Sequence, residues 1–332
     1  MKAFDYTKPT SLEEATQRGS AAGARFIAGG TLLVDLMRLN VERPDLLVDL
    51  GKLALTRGDL RQIELDATGL RIGALVRNTD LAYHAVVLDK FPVLSEALLS
   101  GASPQIRNMA SVSGNLLQRT RCAYFRDTAV KQCNKRSPGS GCAALDGFSR
   151  MHAILGVSPN CIAAHPSDMC VALAALDAVV VIRGSAGERE VPLSDFHVLP
   201  ADHPEVESVL GHGEIVTHVR VPSSPFAKHS AYVKARDRAS FAFALASAAA
   251  ALELQGTVIR SARIALGGVG TKPWRCAASE AKLVGGPANR AAFESAAKLG
   301  LAGAKTTKDN AFKVKIAERA VVRALEIARS KA

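Results

Sequence analysis

Short blocks of apolar residues separated by polar turns run through the whole chain and predict a protein that mixes helices with strands. Residues 24–28 (ARFIA) and 46–50 (LLVDL) are apolar runs of strand length, and residues 32–39 between them have helical spacing. Residues 29–31 (GGT) separate the first strand from that helix. The N-terminal part of the chain therefore predicts a small βαβ unit whose helix follows a glycine turn.

The middle of the chain predicts a larger mixed sheet covered by helices. Alternating and continuous apolar runs predict strands at residues 60–65, 69–72, 178–183, 190–192 and 214–221. Helical spacing predicts helices at residues 79–87, 92–99 and 168–176. Residues 101–109 have neither period, so a polar loop is expected there.

Two prolines mark a boundary before a C-terminal domain. Pro222 and Pro225, with two serines between them, interrupt both the helical and the strand period. Beyond them, strands are predicted at residues 231–235 and 258–266, and helices at residues 277–283 and 310–329. Residues 241–254 (FAFALASAAAALEL) are rich in alanine, and this composition predicts a buried helix.

Length and composition are those of an ordinary globular protein. A chain of 332 residues with 48% apolar and 22% charged residues is too long for one core, so two or three domains are expected. No apolar run approaches the roughly 18 to 20 residues of a transmembrane helix. The N-terminal residues also have no apolar run typical of a secretory signal. We therefore expect no membrane span and no export signal belonging to this chain.

The charge of the chain favours an anionic partner. A formal charge of +11 suits nucleic acid, a membrane surface or an acidic protein subunit. Much of this charge is concentrated in residues 119–136 and 305–329, where a solvated surface explains it equally well. Only 5% of the residues are aromatic, which argues against base stacking along a nucleic-acid groove.

Three short motifs place glycine or small polar residues near the start of a helix. In residues 28–31 (AGGT), two glycines after a strand expose backbone N–H groups that can bind a phosphate. Residues 111–115 (SVSGN) place a glycine beside short polar side chains, and residues 165–168 (HPSD) place an acidic residue at a helix start. An ordinary turn or N-cap explains each motif more often than a ligand does. The chain lacks the GxGxxG spacing of a nicotinamide site.

Five of the six cysteines lie within residues 111–170. Four of them fall in a basic, loop-like insert, with 10, 8 and 18 residues between successive cysteines: Cys122, Cys133, Cys142 and Cys161. Such a set can form two disulfides, a structural zinc site or an iron–sulfur cluster. The missing export signal counts against disulfides, and the missing CxxC pair counts against a zinc ribbon.

Other residues near the insert offer further candidates. His152 and His165 lie on either side of Cys161 in sequence, and either could replace one thiolate ligand. Cys170 lies in a predicted apolar helix and Cys276 follows Trp274, so both are expected to be small buried side chains.

The glycine motifs resemble those of the FAD-binding subunit of the molybdenum hydroxylase (xanthine dehydrogenase) family, over essentially the whole chain. The resemblance implies an α/β (α+β) fold with a PCMH-type FAD-binding domain at residues 1–222, made of subdomains at about 1–55 and 56–222. A C-terminal α/β domain of the CO-dehydrogenase-flavoprotein type is implied at residues 226–332. The FAD contacts that the resemblance implies are Phe26, Ile27, Ala28, Gly29, Gly30, Thr31, Leu32, Gly101, Ser111, Gly114, Asn115, Asp168, Val216 and Lys234.

The same resemblance assigns roles within this set. Residues 26–32 would wind around the FAD pyrophosphate, and Ser111, Gly114 and Asn115 would form a second cofactor loop. Asp168 would contact the ribityl and phosphate region of the flavin. Lys234 would approach the isoalloxazine ring from the C-terminal domain.

The insert resembles that of the FAD and 4Fe-4S subunit in bacterial three-subunit aldehyde oxidoreductases. Residues 118–164 then carry an additional 4Fe-4S cluster. The ligands that the resemblance implies are Cys122, Cys133, Cys142 and Cys161. Cys170 is a competing fifth candidate.

The resemblance implies an electron-transfer subunit of an oxidoreductase rather than an aldehyde-binding one. A molybdenum-cofactor large subunit would oxidise the aldehyde, a 2Fe-2S small subunit would relay electrons, and FAD in this chain would pass them to an external acceptor. The three chains would form a heterotrimer without nucleic acid, in the cytoplasm or in the periplasm by co-export with a signal-bearing partner.

Three alternatives stay open at this stage. The same architecture serves hydroxybenzoyl-CoA reductase, carbon monoxide dehydrogenase and purine hydroxylases. A zinc-stapled basic protein could instead bind nucleic acid through the insert. A stand-alone flavoenzyme with its own substrate is the third.

Overall fold

Three β-sheets follow one another along the chain in this computed structural model, which describes residues 1–332. The N-terminal sheet has the strand order β1-β3-β2, and both outer strands run parallel to β3. Its elements are β1 (Asp5–Thr7), α1 (Leu12–Gly19), β2 (Ala24–Ile27), α2 (Leu33–Arg38), β3 (Leu46–Asp49) and α3 (Leu53–Thr56). The predicted βαβ unit is confirmed, since β2, α2 and β3 follow in this order around the glycine turn.

The second sheet has five strands in the order β4-β5-β8-β6-β7. Its strands are β4 (Ile63–Asp66), β5 (Gly69–Gly73), β6 (Val179–Gly184), β7 (Gly187–Pro192) and β8 (Ile215–Pro222). Every neighbouring pair is antiparallel, so the predicted mixed sheet is wrong. The strands β5 and β6 run in the same direction, but β8 lies between them and pairs antiparallel with both.

Eight helices and one 3₁₀ turn accompany this sheet. They are a 3₁₀ turn (Gly58–Arg61), α4 (Asn78–Ala82), α5 (Ala85–Lys90), α6 (Pro92–Ser100), α7 (Pro104–Met109), α8 (Val112–Leu116), α9 (Ala123–Arg126), α10 (Asp168–Ala175) and α11 (Leu193–Phe196). The polar loop predicted at residues 101–109 is wrong in part, because α7 occupies residues 104–109. Ser103 caps α7, accepting a hydrogen bond from the Ile106 N–H, and Pro104 suits the first helical position.

The C-terminal sheet is antiparallel, with the strand order β12-β11-β10-β9. Its elements are β9 (Ser230–Ala235), β10 (Ala246–Gln255), β11 (Val258–Gly267), β12 (Trp274–Arg275), α12 (Ala277–Leu283), α13 (Arg290–Gly300) and α14 (Phe312–Lys331). The long closing helix was predicted from its spacing, whereas α13 was not. None of the helices combines the length and the hydropathy that crossing a membrane requires.

The alanine-rich segment is the central strand β10, so the helix predicted at residues 241–254 is wrong. Ala248 and Ala250 pack into the core under α14, while Ala249 belongs to the other core, formed with the second sheet. A strand buried on both faces has no polar alternation, and its small side chains let helices approach both faces closely. Sheet pairing with β9 and β11 outweighed the helix propensity of alanine.

Close packing against β10 predicts that Ala250→Leu destabilises the C-terminal domain. Ala250 is 0% exposed, and a larger side chain would have to displace the core side chains packed beneath α14. We expect the free energy of unfolding to fall by about 1–3 kcal/mol, measured by urea denaturation. The matched substitution Ala302→Leu, at an exposed position, should leave it nearly unchanged. Equal effects of the two substitutions would contradict the packing described for β10.

Candidate functional site

A cleft of about 300 Å³ lies between the N-terminal sheet and the second sheet. The segment from β2 to α2 forms one wall, α8 contributes a second, and the start of β8 a third. Ten of the fourteen residues expected to contact FAD line it: Phe26, Ile27, Ala28, Gly29, Gly30, Thr31, Leu32, Ser111, Gly114 and Val216. The lining combines apolar side chains with loop backbone, which suits a ligand having both a ring system and phosphates.

Two glycines shape the wall formed by residues 25–33. A Cβ on Gly29 would lie 1.8 Å from the carbonyl oxygen of Met109, so only glycine lets this turn approach the chain before Ser111. Gly30 has a φ of +70°, which favours glycine as well. The two cofactor loops expected from sequence are therefore held against each other by backbone contact.

Ser111 organises the second loop. Its side chain caps α8, and the Gly114 N–H donates to Ser111 Oγ at 3.1 Å. The expected loop is thus a capped helical turn.

The other four predicted FAD residues lie behind the cleft, where α8 and α10 meet the C-terminal sheet. Lys234 Nζ donates to Asp168 Oδ2 at 2.8 Å and to the Ser100 carbonyl at 3.0 Å. The two side chains are only 3% and 9% exposed, so this is a buried ion pair. A Cβ on Gly101 would lie 3.3 Å from Asp168 Oδ2.

Two hydrogen bonds connect this ion pair to its surroundings. Tyr232 donates its hydroxyl to Asp168 Oδ1 at 2.5 Å, and burial together with the Asp168 charge raises the pKa of Tyr232 well above its usual value. Ser167, the N-cap of α10, donates its hydroxyl to Asn115 Oδ1 at 2.7 Å. Asn115 therefore joins the cleft to the Asp168 and Lys234 pair.

The four insert cysteines lie in one region beside the cleft, and all are free thiols. Cys133 and Cys142 pair in an isolated antiparallel bridge, and Cys133 packs with Leu36 of α2, which lines the cleft. Cys122 contacts the same small apolar cluster. Cys133 and Cys161 are buried, whereas Cys122 and Cys142 are half-buried.

Arg136 holds the insert in shape. Its guanidinium donates to the carbonyl oxygens of Tyr124, Phe125, Asp127 and Val130. Because these residues follow Cys122 in sequence, Arg136 fixes that turn beside Cys133.

The electrostatics of the thiols suit a metal ligand set held in a dry site. Burial raises the pKa of Cys122 to about 12 and also raises the pKa of Cys161, although the nearby Lys135 charge opposes the second shift. At neutral pH a thiol with a raised pKa keeps its proton. A bound metal cation would replace that proton and stabilise the thiolate.

The spacing of the thiols bears on a zinc site. No three of the four sulfur atoms lie within 4.8 Å of one another. A single tetrahedral zinc, with Zn–S bonds of about 2.3 Å, would bring them to roughly 3.8 Å. The four thiols therefore do not form a ready-made tetrahedral zinc site.

The two candidate histidines, buried His152 and half-buried His165, lie in different places. His152 Nε2 lies 3.1 Å from Cys122 Sγ, and burial lowers the pKa of His152 to about 4. His165 instead meets His197 and Cys170, and the ligand atoms of these three residues lie within 4.8 Å of one another. Cys170 is buried inside α10, as its apolar sequence predicts.

A half-buried chain of charges was not predicted from the sequence. Arg119 donates to Glu42 and to Glu207, each at 2.5 Å, and Lys135 donates to the other oxygen of Glu207 at 3.1 Å. Burial raises the pKa of Glu207, but Lys135 and Arg119 together hold it below its usual value. The chain runs from the cleft, lined by Glu42 and Arg119, to Lys135 beside Cys161. Residues so far apart in sequence gave no local signal.

The buried ion pair predicts strong coupling between Asp168 and Lys234. Either Asp168→Asn or Lys234→Met leaves one buried charge unpaired, and we expect each to lower the free energy of unfolding by about 3–5 kcal/mol. The double variant should lose at least about 1 kcal/mol less than the sum of the single losses. Urea denaturation of the four proteins measures the cycle. The exposed pair of Arg290 and Glu294 is the control, and Glu294→Gln should cost less than about 1 kcal/mol. Additive losses at Asp168 and Lys234 would refute the pairing.

Comparison with known proteins places these features in a family. Residues 2–224 match the model of the FAD-binding domain in molybdopterin dehydrogenase, and residues 230–328 match that of the CO dehydrogenase flavoprotein C-terminal domain. The aldehyde oxidoreductase FAD-binding subunit PaoB of Escherichia coli is 49% identical, and the alignment covers 100% of both chains. The carbon monoxide dehydrogenase medium chain of Hydrogenophaga pseudoflava is 25% identical over 98% of this chain and 96% of its own.

Solved structures show the same fold. Quinoline 2-oxidoreductase from Pseudomonas putida 86 contains a chain with a TM-score of 0.76 and 26% identity, covering 100% of this chain and 99% of that one. The carbon monoxide dehydrogenase of Hydrogenophaga pseudoflava contains one with a TM-score of 0.76 and 25% identity, covering 99% and 98%. The chain belongs to the family of FAD-binding subunits of molybdenum hydroxylases, which are oxidoreductases.

Proposed function

We propose that this chain is the FAD- and 4Fe-4S-containing electron-transfer subunit of a molybdenum-dependent aldehyde oxidoreductase. The FAD-binding domain and the relative PaoB support the flavin and the class of enzyme. The observation that carries the proposal further is the position of the four thiols beside the cleft: Leu32 and Leu36 both line the cleft and pack with the apolar cluster that contains Cys133.

The cleft has the features that FAD requires. The turn at Gly29 and Gly30 and the capped turn at Ser111 expose backbone to the pyrophosphate, and apolar side chains such as Phe26 and Val216 offer contacts to ring systems. We assign Asp168, Asn115, Gly101 and Lys234 to the ribityl and isoalloxazine side, as the family resemblance implies. When bound, FAD supplies the redox chemistry, and this chain orients it and adjusts its potential.

The insert has the features that a 4Fe-4S cluster requires. Its four thiols are free, and Cys133 and Cys161 are buried. Lys135 is near Cys161 and offers positive charge to a ligand set that is anionic when deprotonated. We assign Cys122, Cys133, Cys142 and Cys161 as the ligands.

A short path between the two cofactors supports a relay. Leu36 belongs to the same apolar cluster as Cys133 and also lines the cleft, so the cysteine region and the cleft are neighbours. The aldehyde would be oxidised at a molybdenum-bearing large subunit, with a 2Fe-2S small subunit between it and this chain. We propose residues 1–222 as the FAD-binding domain, with the insert at 118–164, and residues 226–332 as the second domain.

The test is a spectrum of the full chain purified without air, with flavin, iron and zinc quantified on the same sample. We expect flavin absorption bands over a broad iron–sulfur shoulder, with one FAD and about four irons per chain. A colourless protein that contains zinc and binds nucleic acid in low salt would overturn the proposal. Aldehyde turnover by this chain without partner subunits would do so as well.

The ligand assignment predicts separate losses of the two cofactors. Cys133→Ser should remove most of the iron and leave FAD bound, because Cys133 itself does not line the cleft. Cys276→Ser, buried in the C-terminal domain, and Cys170→Ser, inside α10, are the matched controls and should retain about four irons per chain. Colorimetric iron assay and flavin fluorescence measure the two contents. Loss of iron in Cys170→Ser with full retention in Cys133→Ser would reverse the assignment.

A further inference from the structure

His152 is a buried side chain of the insert that the proposed ligand set does not use. We infer that His152 Nε2–H donates a hydrogen bond to the Cys122 sulfur and thereby raises the reduction potential of the cluster bound there. The inference rests on the proposed cluster and makes His152 a positioning and tuning residue rather than a ligand.

The contact has the geometry of an N–H···S hydrogen bond. His152 Nε2 lies 3.1 Å from Cys122 Sγ, and His152 is only 5% exposed, so little water reaches the donor. A cluster-bound thiolate has lone pairs and no proton. It can therefore only accept a hydrogen bond, and Nε2 is the donor that faces it.

The surroundings of the second ring nitrogen, Nδ1, also support Nε2 as the donor. His152 Nδ1 is buried and has no hydrogen-bond partner. A buried lone pair without a partner is tolerated better than a buried N–H without one. The single proton of a neutral imidazole therefore belongs on Nε2, facing the sulfur.

The backbone of His152 is fixed by the C-terminal domain. Lys313 of α14, 0% exposed, donates its ammonium group to the His152 carbonyl at 2.9 Å and to the Gly268 carbonyl at 2.8 Å. The His152 N–H donates to the Ser149 carbonyl at 2.9 Å. Tyr124 packs against the imidazole with ring centroids 6.1 Å apart. These contacts hold the donor in place before any cluster is bound.

The physical consequence is a change in the cluster's electronics. Hydrogen bonds to the sulfurs and solvent exposure both set the reduction potential of an iron–sulfur cluster. A donor at Cys122 draws electron density from the sulfur and stabilises the reduced, more negative cluster. Loss of the donor should shift the potential to a more negative value, with the iron still bound.

The first experiment compares variants of the full chain by redox titration followed by electron paramagnetic resonance. His152→Leu should keep its iron and FAD and show a more negative cluster potential. His152→Gln, whose amide N–H reaches the same place, should restore a potential close to that of the native chain. His218→Leu, a substitution of a buried histidine on β8, is the control and should change neither potential.

Two results would overturn the inference. One is an unchanged cluster potential in His152→Leu with iron retained. The other is loss of iron in both His152→Leu and His152→Gln, which would make His152 a ligand. Absence of iron from the native chain would contradict the proposed cluster itself. That outcome differs from the two results above, which concern only His152.

A second measurement covers the case in which His152→Leu fails to fold. Pulsed electron paramagnetic resonance of the native chain labelled with ¹⁵N-histidine should show a weakly coupled nitrogen and a proton that exchanges in D₂O. A strongly coupled nitrogen would identify a ligand, and no coupling would exclude the hydrogen bond. Either of these two outcomes overturns the inference.

Discussion

The hydrogen bond from Ser167 to Asn115 is the contact on which the arrangement of both sites depends. It joins residues 52 positions apart and closes the insert at its base. Thr120 adds a second tie by donating to the Ala164 carbonyl at 3.0 Å. Closing so long a loop carries an entropic cost that grows only slowly with length, so a few such bonds suffice. The fold can therefore accept the insert without displacing α8 or α10, which carry residues of the cofactor site.

Closure at this point brings the cysteines to the cleft instead of away from it. The insert begins after α8 and ends at α10. Between them, its residues Phe125 and Cys133 pack with Leu36 of α2. The charges of Glu42, Arg119, Glu207 and Lys135 then neutralise one another along the same face. Removing one of them would leave a half-buried charge without its partner, which lowers stability. Polar and apolar contacts thus hold the insert in the same position.

The elements that the sequence predicted well are those with a local cause. The turn at Gly29 and Gly30, the start of α10 at Asp168 and the long helix α14 each depend on neighbouring residues, and each is found as expected. The predictions were wrong where residues distant in sequence determine the secondary structure or the strand order. The alanines of β10 form a strand, not the predicted helix, because β9 and β11 pair with it. The second sheet is antiparallel, not mixed, because β8 lies between the parallel strands β5 and β6. The contact of Arg119 with Glu207, 88 residues apart, has no local pattern at all.

The C-terminal domain reaches each of the two candidate cofactor sites with one buried lysine. Lys234 of β9 pairs with Asp168 at the flavin side, and Lys313 of α14 holds the backbone of His152 beside Cys122. A buried ammonium group is expensive unless its hydrogen bonds are satisfied, and in both places carbonyl or carboxylate oxygens satisfy them. Because β9 and α14 pack in the same domain, any shift of that domain would disturb both lysines together. The geometry of the flavin site and the hydrogen bonding of the insert are therefore set by one rigid support, although their residues lie far apart in the sequence.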